Sequence, residues 1–247
     1  MRQWLGKRYW LVGASEGLGR ALAEQMSRAG VELVLSARNT ERLQALAESL
    51  PGKVSIVPVD VGDMQSVRDA AEAAGEIDGV VYLAGVYWPQ PAQAWDAEQV
   101  ETMCDINFTG AARVLGVVVP GMVARDSGHV VLTGSLAGFR GLPGAIGYGA
   151  SKAGLMNLAE SMQADLRGSG IEVQLVNPGF IRTRLTDKND FTMPFIMEPE
   201  AAAALMFDHM GTEKFKKSFP AFFSRVFRLS QLLPDWAYYR LFAPRRG

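Results

Sequence analysis

Short apolar runs alternate along the chain with segments of helical periodicity, and this alternation constrains the fold more than any other feature. Six mostly apolar runs, rich in β-branched residues, lie at residues 9–12, 31–36, 54–59, 79–83, 129–133 and 171–176. Strands that are covered on both faces have such continuous apolar sequences, as in a parallel sheet. The runs therefore predict six strands of one buried sheet.

The segments between these runs repeat apolar residues at the i, i+3 and i+4 spacing of a helix. Three such sets are Leu18, Leu22 and Met26; Leu43, Leu46 and Leu50; and Leu155, Leu158 and Met162. Strands that alternate with helices form βαβ units with right-handed crossovers. We therefore predict an α/β protein with a doubly wound parallel β-sheet, a Rossmann fold, in a single domain.

The overall composition is that of an ordinary globular protein, with 48% hydrophobic and 21% charged residues. A formal net charge of −1 argues against a nucleic-acid binder. The single cysteine, Cys104, excludes an internal disulfide and fits a reducing compartment. No secretory signal or uncharged stretch of 18 apolar residues is found, so we expect a cytoplasmic protein. No cysteine or carboxylate stands at ligand spacing from either histidine, so we predict no metal site.

Charge is unevenly distributed along the chain. Residues 212–247 hold eight basic and two acidic residues, which leaves 17 basic and 24 acidic residues in the preceding part. We therefore divide the chain into a catalytic body at 1–211, with a substrate lid at 180–199, and a basic, apolar C-terminal extension at 212–247. The extension is predicted to hold the last strand and an amphipathic helical tail.

The tail carries an apolar stripe at helical spacing, and two interpretations of it remain open. The stripe comprises Phe219, Phe222, Phe223, Val226, Leu229 and Leu233, and continues after Pro234 with Trp236, Tyr238, Tyr239, Leu241 and Phe242. An apolar stripe usually packs on the body of the protein or on a subunit partner. With basic residues beside it, residues 219–247 could instead make a peripheral membrane contact.

A glycine-rich turn follows the first apolar run and precedes the first helical segment. Its glycines are Gly13, Gly17 and Gly19. Glycine allows the backbone to turn tightly beside a pyrophosphate, and the helix N-terminus supplies amide donors to it. The turn therefore predicts a dinucleotide site, although a glycine turn can also serve packing alone.

The end of the second strand predicts which dinucleotide is preferred. An NAD enzyme places a ribose-binding carboxylate there, but this chain has Ala37 and Arg38. A guanidinium can pair with the 2′-phosphate of NADP(H). We therefore predict NADP(H) as the preferred cofactor, with NAD(H) possible; the alternative is that Arg38 is an ordinary surface arginine.

A tyrosine and a lysine four residues apart point to acid–base chemistry. Tyr148 and Lys152 lie on one face of a helix, and Ser135 follows the strand run before them. A nearby ammonium, together with a positively charged nicotinamide, would lower the pKa of the phenol, which could then exchange a proton with a carbonyl or an alcohol. Ser135 could hydrogen-bond the same substrate oxygen. Activity should then rise with pH as one group titrates well below pH 10.

Together these motifs resemble the short-chain dehydrogenase/reductase family in its form of roughly 250 residues. The resemblance covers about residues 7–210 and includes the Gly13–Gly19 turn, Ser135, and Tyr148 with Lys152. It implies that Asn107 completes a catalytic tetrad and holds a water in a proton relay. It also implies a cofactor site comprising Gly13, Ser15, Glu16, Gly17, Leu18, Gly19, Arg38, Asp60, Val61, Ala84, Gly85, Tyr148, Lys152, Pro178, Gly179, Ile181 and Thr183.

Two positions depart from the family pattern, since Val12 replaces a threonine and Tyr82-Leu83 replaces two asparagines. The missing polar side chains normally tie the glycine turn to the fourth strand. Loops at 86–91, 136–140 and 180–199 should form the substrate pocket. Their aromatic and methionine residues suggest an apolar or mixed carbonyl substrate; equally, these residues could serve only to pack the lid onto the body. The resemblance implies a homodimer or homotetramer, and a non-catalytic sensor of NADP(H) is the alternative function.

Overall fold

The computed structural model describes residues 2–243 and places all the strands of these residues in one parallel sheet. The strands are β1 (Arg8–Val12), β2 (Glu32–Ser36), β3 (Val54–Ile56), β4 (Gly79–Tyr82), β5 (Gly128–Thr133), β6 (Ile171–Pro178) and β7 (Lys216–Phe219). Their order in the sheet is β3-β2-β1-β4-β5-β6-β7. The predicted doubly wound sheet is confirmed, and β7 is the strand expected in the C-terminal extension.

The helices follow the strands in alternation. They are α1 (Gly17–Arg28), α2 (Thr40–Ser49), α3 (Met64–Ala74), α4 (Ala97–Cys104), α5 (Gly110–Ala124), α6 (Ile146–Asp165), α7 (Pro199–Met210), α8 (Ala221–Ser230) and α9 (Asp235–Phe242). Asn39 and Asp63 begin α2 and α3 by accepting backbone hydrogen bonds with their side chains. Local capping thus helps to set where these helices begin.

Both faces of the sheet are covered, which explains the continuous apolar runs. Trp10 and Val12 of β1 belong to the hydrophobic cluster on one face, and Tyr9 and Leu11 belong to the cluster on the other. Successive side chains of a strand point to opposite faces. Strands with a helical layer on each side are therefore mostly apolar at successive positions.

One helical run, residues 97–124, is long and apolar enough to cross a membrane by length and composition. It contains α4, a π-helical turn at Asp105–Thr109, and α5. A core helix passes the same test. Val114 and Met122 of this run are fully buried in the hydrophobic core.

The chain after β7 forms a C-terminal arm (residues 220–243) made of α8 and α9. The predicted helical stripe is corrected in two respects. Phe219 is the buried last residue of β7, outside the helix. In α8 the buried side chains include Phe227, whereas Phe222 and Leu229 are exposed. The apolar residues of α8 cover a larger part of its surface than the part that contacts the body. Sequence spacing therefore did not show which of these residues point inward.

Candidate functional site

A cleft of about 1580 Å³ opens at the carboxyl ends of the strands. It lies beside the switch point between β1 and β4, where doubly wound sheets bind ligands. Apart from Asn107, every predicted catalytic or cofactor-binding residue lines this cleft. The volume exceeds the roughly 300–1,000 Å³ of a typical small-ligand pocket, so the cleft has room for a dinucleotide and a substrate together.

The turn after β1 requires glycine at positions where the backbones approach closely. Gly13 has φ +98°, and a Cβ there would collide with the backbone nitrogen of Ala84. A Cβ at Gly19 would collide with the carbonyl oxygen of Gly13. The turn is tied to β4 through the backbone, because the carbonyl of Val12 accepts from the amides of Leu83 (2.8 Å) and Ala84 (2.9 Å). These bonds connect the elements that the family links with polar side chains.

The N-terminus of α1 faces the cleft and suits an anion. Within residues 2–243, no side chain caps this helix. Its first amides and its positive dipole end therefore offer a site for a phosphate group. The Glu16 carboxylate at this position pairs with Arg42 (2.7 Å) and Arg184 (3.1 Å). The glycine turn and the helix end fit the pyrophosphate of a dinucleotide.

Two arginines lie at the cleft edge beyond β2. Arg38 is exposed and lines the cleft, as predicted, and Arg42 on α2 lines it as well. Sequence reasoning missed Arg42. Its position could have been predicted from the sequence, because Arg42 lies four residues after Arg38, in the first turn of a helix capped by Asn39. The two arginines place positive charge at this edge of the cleft, although the Arg42 guanidinium also pairs with the Glu16 carboxylate.

Lys152 is held in the interior at the base of the cleft. Its side chain is 4% exposed, and its Nζ donates to the carbonyl of Thr133 at 2.8 Å. Burial disfavours the charged ammonium and lowers the pKa of Lys152 to about 8. Its Nζ lies 5.8 Å from the centroid of the Tyr148 ring, which confirms that the two residues share one face of α6.

In the chain by itself, the pKa of Tyr148 lies above its usual value. Burial raises this pKa, and the neighbouring Ser135 hydroxyl only counteracts the shift in part. The Lys152 Nζ donates to the carbonyl of Thr133. The chain by itself therefore keeps the phenol protonated at neutral pH. The lowering expected from this ammonium together with a positively charged nicotinamide stays a prediction.

Ser135 lies next to this pair, directly after β5. It is buried, and its Oγ accepts a hydrogen bond from the amide of Ala137 at 3.1 Å, which begins a 3₁₀ turn at Leu136–Gly138. An oxygen that accepts from a backbone amide retains its own proton to donate. Ser135 can therefore donate to an oxygen bound in the cleft.

Asn107 lies behind the cleft, in the π-helical turn between α4 and α5. Its Oδ1 accepts from the amide of Val86 at 2.7 Å, and its Nδ2 donates to the carbonyl of Val86 and to the Ser151 Oγ, both at 3.0 Å. Both donor hydrogens of the amide are therefore used. The side chain fixes the loop after β4, and a water-holding role for Asn107 stays a prediction.

The lid segment crosses the cleft and contacts the loop after β4. The Tyr87 hydroxyl donates to Asn189 at 2.8 Å, and the Lys188 Nζ donates to the carbonyl of Tyr87 at 2.8 Å. The Tyr87 ring also meets the Tyr148 ring edge-on at 5.0 Å. The lid thus connects through Tyr87 to the predicted catalytic tyrosine.

The arm supplies part of the cleft wall, which sequence reasoning missed. Phe223 and Phe227 of α8 line the cleft, whereas the lid residues Met193 and Phe195 do not. No local sequence pattern predicts this contact, because α8 begins more than twenty residues after the lid. The path of the chain through β7 brings α8 to the cleft. The substrate side of the cleft is therefore more aromatic than the predicted loops alone would make it.

The fold and the cleft together define a class: an α/β protein of the Rossmann type, with a dinucleotide-sized site beside a Ser–Tyr–Lys cluster. The chain belongs to the short chain dehydrogenase family, whose sequence model matches residues 7–193. This confirms the resemblance found in the sequence. Members of the family bind a nicotinamide cofactor and act on small molecules, and the protein is an oxidoreductase.

Relatives and solved structures agree with this assignment. The chain is 40% identical over 232 residues to an uncharacterized oxidoreductase of Myxococcus xanthus, covering 91% of this chain and 92% of the relative. It superimposes on a short-chain dehydrogenase from Streptomyces avermitilis with a TM-score of 0.82, 26% identity and 96% of each chain covered. A closed serine dehydrogenase complexed with NADP+ gives a TM-score of 0.77 and 25% identity, covering 86% of this chain and 94% of that one.

Proposed function

We propose that the protein is an NADP(H)-dependent oxidoreductase that interconverts a carbonyl compound and its alcohol, with Tyr148 as general acid and base. The observation that carries this proposal is the convergence of Ser135, Tyr148 and Lys152 on the cleft that also contains the glycine turn. When bound, the nicotinamide supplies or accepts the hydride.

The chain's own groups suit the binding of the cofactor. The glycine turn and the first amides of α1 would hold the pyrophosphate, and Arg38 with Arg42 would hold a 2′-phosphate. Asp60 and Val61 would contact the adenine, while Ala84 and Gly85 would pack beside the turn. The nicotinamide half would contact Pro178, Gly179, Ile181 and Thr183, which line the far side of the cleft.

The protein's part in the reaction is to move one proton. In carbonyl reduction, the Tyr148 hydroxyl donates its proton to the substrate oxygen, and Ser135 hydrogen-bonds that oxygen. The raised pKa of Tyr148 keeps the proton on the phenol until the oxygen becomes basic. The resulting phenolate is stabilised by the Lys152 ammonium and regains a proton from solvent. Alcohol oxidation uses the same proton transfer in reverse.

The walls of the cleft favour an apolar substrate. Aromatic rings from three separate segments line it, namely Trp88, Phe180, Phe191, Phe223 and Phe227. Such walls stabilise a ligand mainly by removing its apolar surface from water. We therefore propose a substrate whose carbonyl or alcohol group lies on an apolar framework.

The direct test is consumption of NADPH with a panel of ketones and aldehydes, measured by absorbance for the wild type and for Tyr148→Phe. We expect turnover by the wild type and a loss of at least about 100-fold in the variant, since the proton donor is removed. NADPH binding without turnover of any panel member would favour the alternative, a sensor of the nucleotide. Undiminished turnover by Tyr148→Phe would refute the role of the phenol.

The assembly and location of the protein follow as further proposals. Members of the family commonly form oligomers, and we propose a homodimer or homotetramer built through the helices that contain Asn107 and Tyr148. We also retain the cytoplasm as the predicted location. Light scattering of the purified full chain would give the mass of the assembly directly.

A further inference from the structure

The C-terminal arm exposes a large apolar surface. Phe222, Val226 and Leu229 share the outer face of α8, because they are spaced four and three residues apart. Further exposed apolar side chains on the arm are Leu232 (81%), Trp236 (73%), Tyr239 and Leu241. Contiguous exposed apolar patches usually mark an interaction site.

This surface is continuous with the interior of the cleft. Ring contacts run from Phe191 to Phe180 (5.8 Å), from Phe180 to Phe223 (6.0 Å), from Phe223 to Phe195 (5.5 Å), and from Phe195 to Phe222 (5.9 Å). Phe180, Phe191 and Phe223 line the cleft, whereas Phe195 and Phe222 are exposed. The exposed patch therefore adjoins the aromatic side of the cleft.

The charges beside the patch are positive. Arg225, Arg228 and Arg240 are exposed on the two helices, and no ion pair involves them within residues 2–243. The acidic residue of the arm, Asp235, pairs with Arg140 of the body at 2.5 Å. The apolar face thus has an unbalanced basic border, and Trp236 with Tyr239 adds the residue types enriched at membrane–water interfaces.

The arm is fastened to the loop that forms the cleft wall. The Arg140 guanidinium donates to the carbonyls of Ser230 (2.7 Å) and Leu233 (2.8 Å), and it lies 3.9 Å from the centroid of the Tyr238 ring. The Tyr238 hydroxyl donates to the carbonyl of Gly141 at 2.7 Å. Whatever binds the arm is therefore held in a set position relative to the cleft.

We propose that the outer face of the arm, with Phe195 of the lid, docks the cleft entrance onto an anionic lipid bilayer, from which an apolar carbonyl substrate enters. Basic residues around an apolar face match anionic headgroups above acyl chains. A two-fold contact between the arms of two copies would instead bring two strongly basic segments together, which disfavours self-association through this face. The entry of substrate rests on the proposed function, but the docking itself does not.

The test is co-sedimentation of the full chain with phosphatidylcholine vesicles and with vesicles containing 30% phosphatidylglycerol. We expect binding to the anionic vesicles and at least about tenfold weaker binding to the neutral ones. Phe222→Ser/Leu229→Ser should abolish most binding. The matched control, Leu5→Ser/Trp95→Ser, removes two apolar side chains of similar exposure (75% and 61%, against 66% and 62%) away from the arm and should bind like the wild type.

A second pair of variants tests the charge. Arg225→Gln/Arg228→Gln should weaken binding to anionic vesicles roughly 30-fold, since each basic residue near such a surface contributes roughly fivefold. Arg20→Gln/Arg28→Gln on α1 serves as the control and should leave binding unchanged. Equal loss in the arm and control variants would overturn the proposal.

The remaining outcomes separate this proposal from its rivals. The proposal is overturned if the wild type fails to sediment with anionic vesicles. It is also overturned if vesicle binding is absent and the mass of the assembly falls in Phe222→Ser/Leu229→Ser. The second result would identify the face as a contact between copies. Tyr148→Phe should bind vesicles like the wild type, so a failure of the catalytic proposal would leave this measurement unaffected.

Discussion

At the scale of single residues, the environment of Lys152 predicts how activity depends on pH. Burial lowers its pKa to about 8, so the ammonium is charged below this pH and neutral above it. Carbonyl reduction should therefore be steady at neutral pH and decline above about pH 8, as the cation beside Tyr148 is lost. This differs from the rise with pH expected from the sequence, because burial raises the pKa of Tyr148 and lowers that of Lys152. Lys152→Arg should extend the plateau because a guanidinium stays protonated. Lys7→Arg, on the surface, should keep the wild-type profile, and an unchanged decline in Lys152→Arg would contradict this assignment.

A second prediction for single residues concerns Arg38 and Arg42 and the preference for NADPH over NADH. Replacing both with glutamine should weaken NADPH binding by about 10- to 100-fold, since charge-assisted bonds to the 2′-phosphate are lost. NADH binding should change little, because NADH lacks this phosphate. Fluorescence titration of both cofactors would measure the ratio, with Arg20→Gln/Arg28→Gln as the control. Equal weakening for the two cofactors would remove the specificity role.

At the scale of the elements, Tyr82 supports the π-helical turn that presents Asn107. Its buried hydroxyl donates to the carbonyl of Ile106 at 2.5 Å. Tyr82→Phe should lower the free energy of unfolding by about 1–3 kcal/mol, because that carbonyl is left without this donor. Denaturant unfolding would measure the change, and Tyr239→Phe, at an exposed ring, should cost nothing measurable. A stable Tyr82→Phe would show that the turn holds without this bond.

The elements also show what local sequence can predict. The apolar runs placed β1 to β6, and the i, i+4 pattern placed α1, α2 and α6, because both periodicities are local. The predicted stripe did not distinguish the inner face of α8 from its outer face, since the apolar residues of this helix cover most of its circumference. Contact with the body at Phe223 and Phe227 selects the inner face.

At the scale of the whole molecule, Arg140 joins the arm to the body. Its bonds to the α8–α9 junction are largely shielded, with 18% of its side chain exposed. Arg140→Met should lower the free energy of unfolding by about 1–3 kcal/mol and speed trypsin cleavage within the arm. The control, Arg20→Met, breaks only an exposed pair with Glu24 and should leave both measurements unchanged. Unaltered cleavage of Arg140→Met would mean that other contacts hold the arm.

The sequence by itself determined the alternation of strands and helices, the glycine turn and the spacing of Tyr148 and Lys152, because each depends on residues close together in the chain. Tertiary structure decided the rest. It set the pKa of Tyr148 in the chain alone, the position of Arg42 at the edge of the cleft, the hydrogen bonds of Asn107 behind the cleft, and the aromatic wall contributed by the arm. These features depend on burial and on contacts between distant segments, and such contacts exist only once the sheet has assembled.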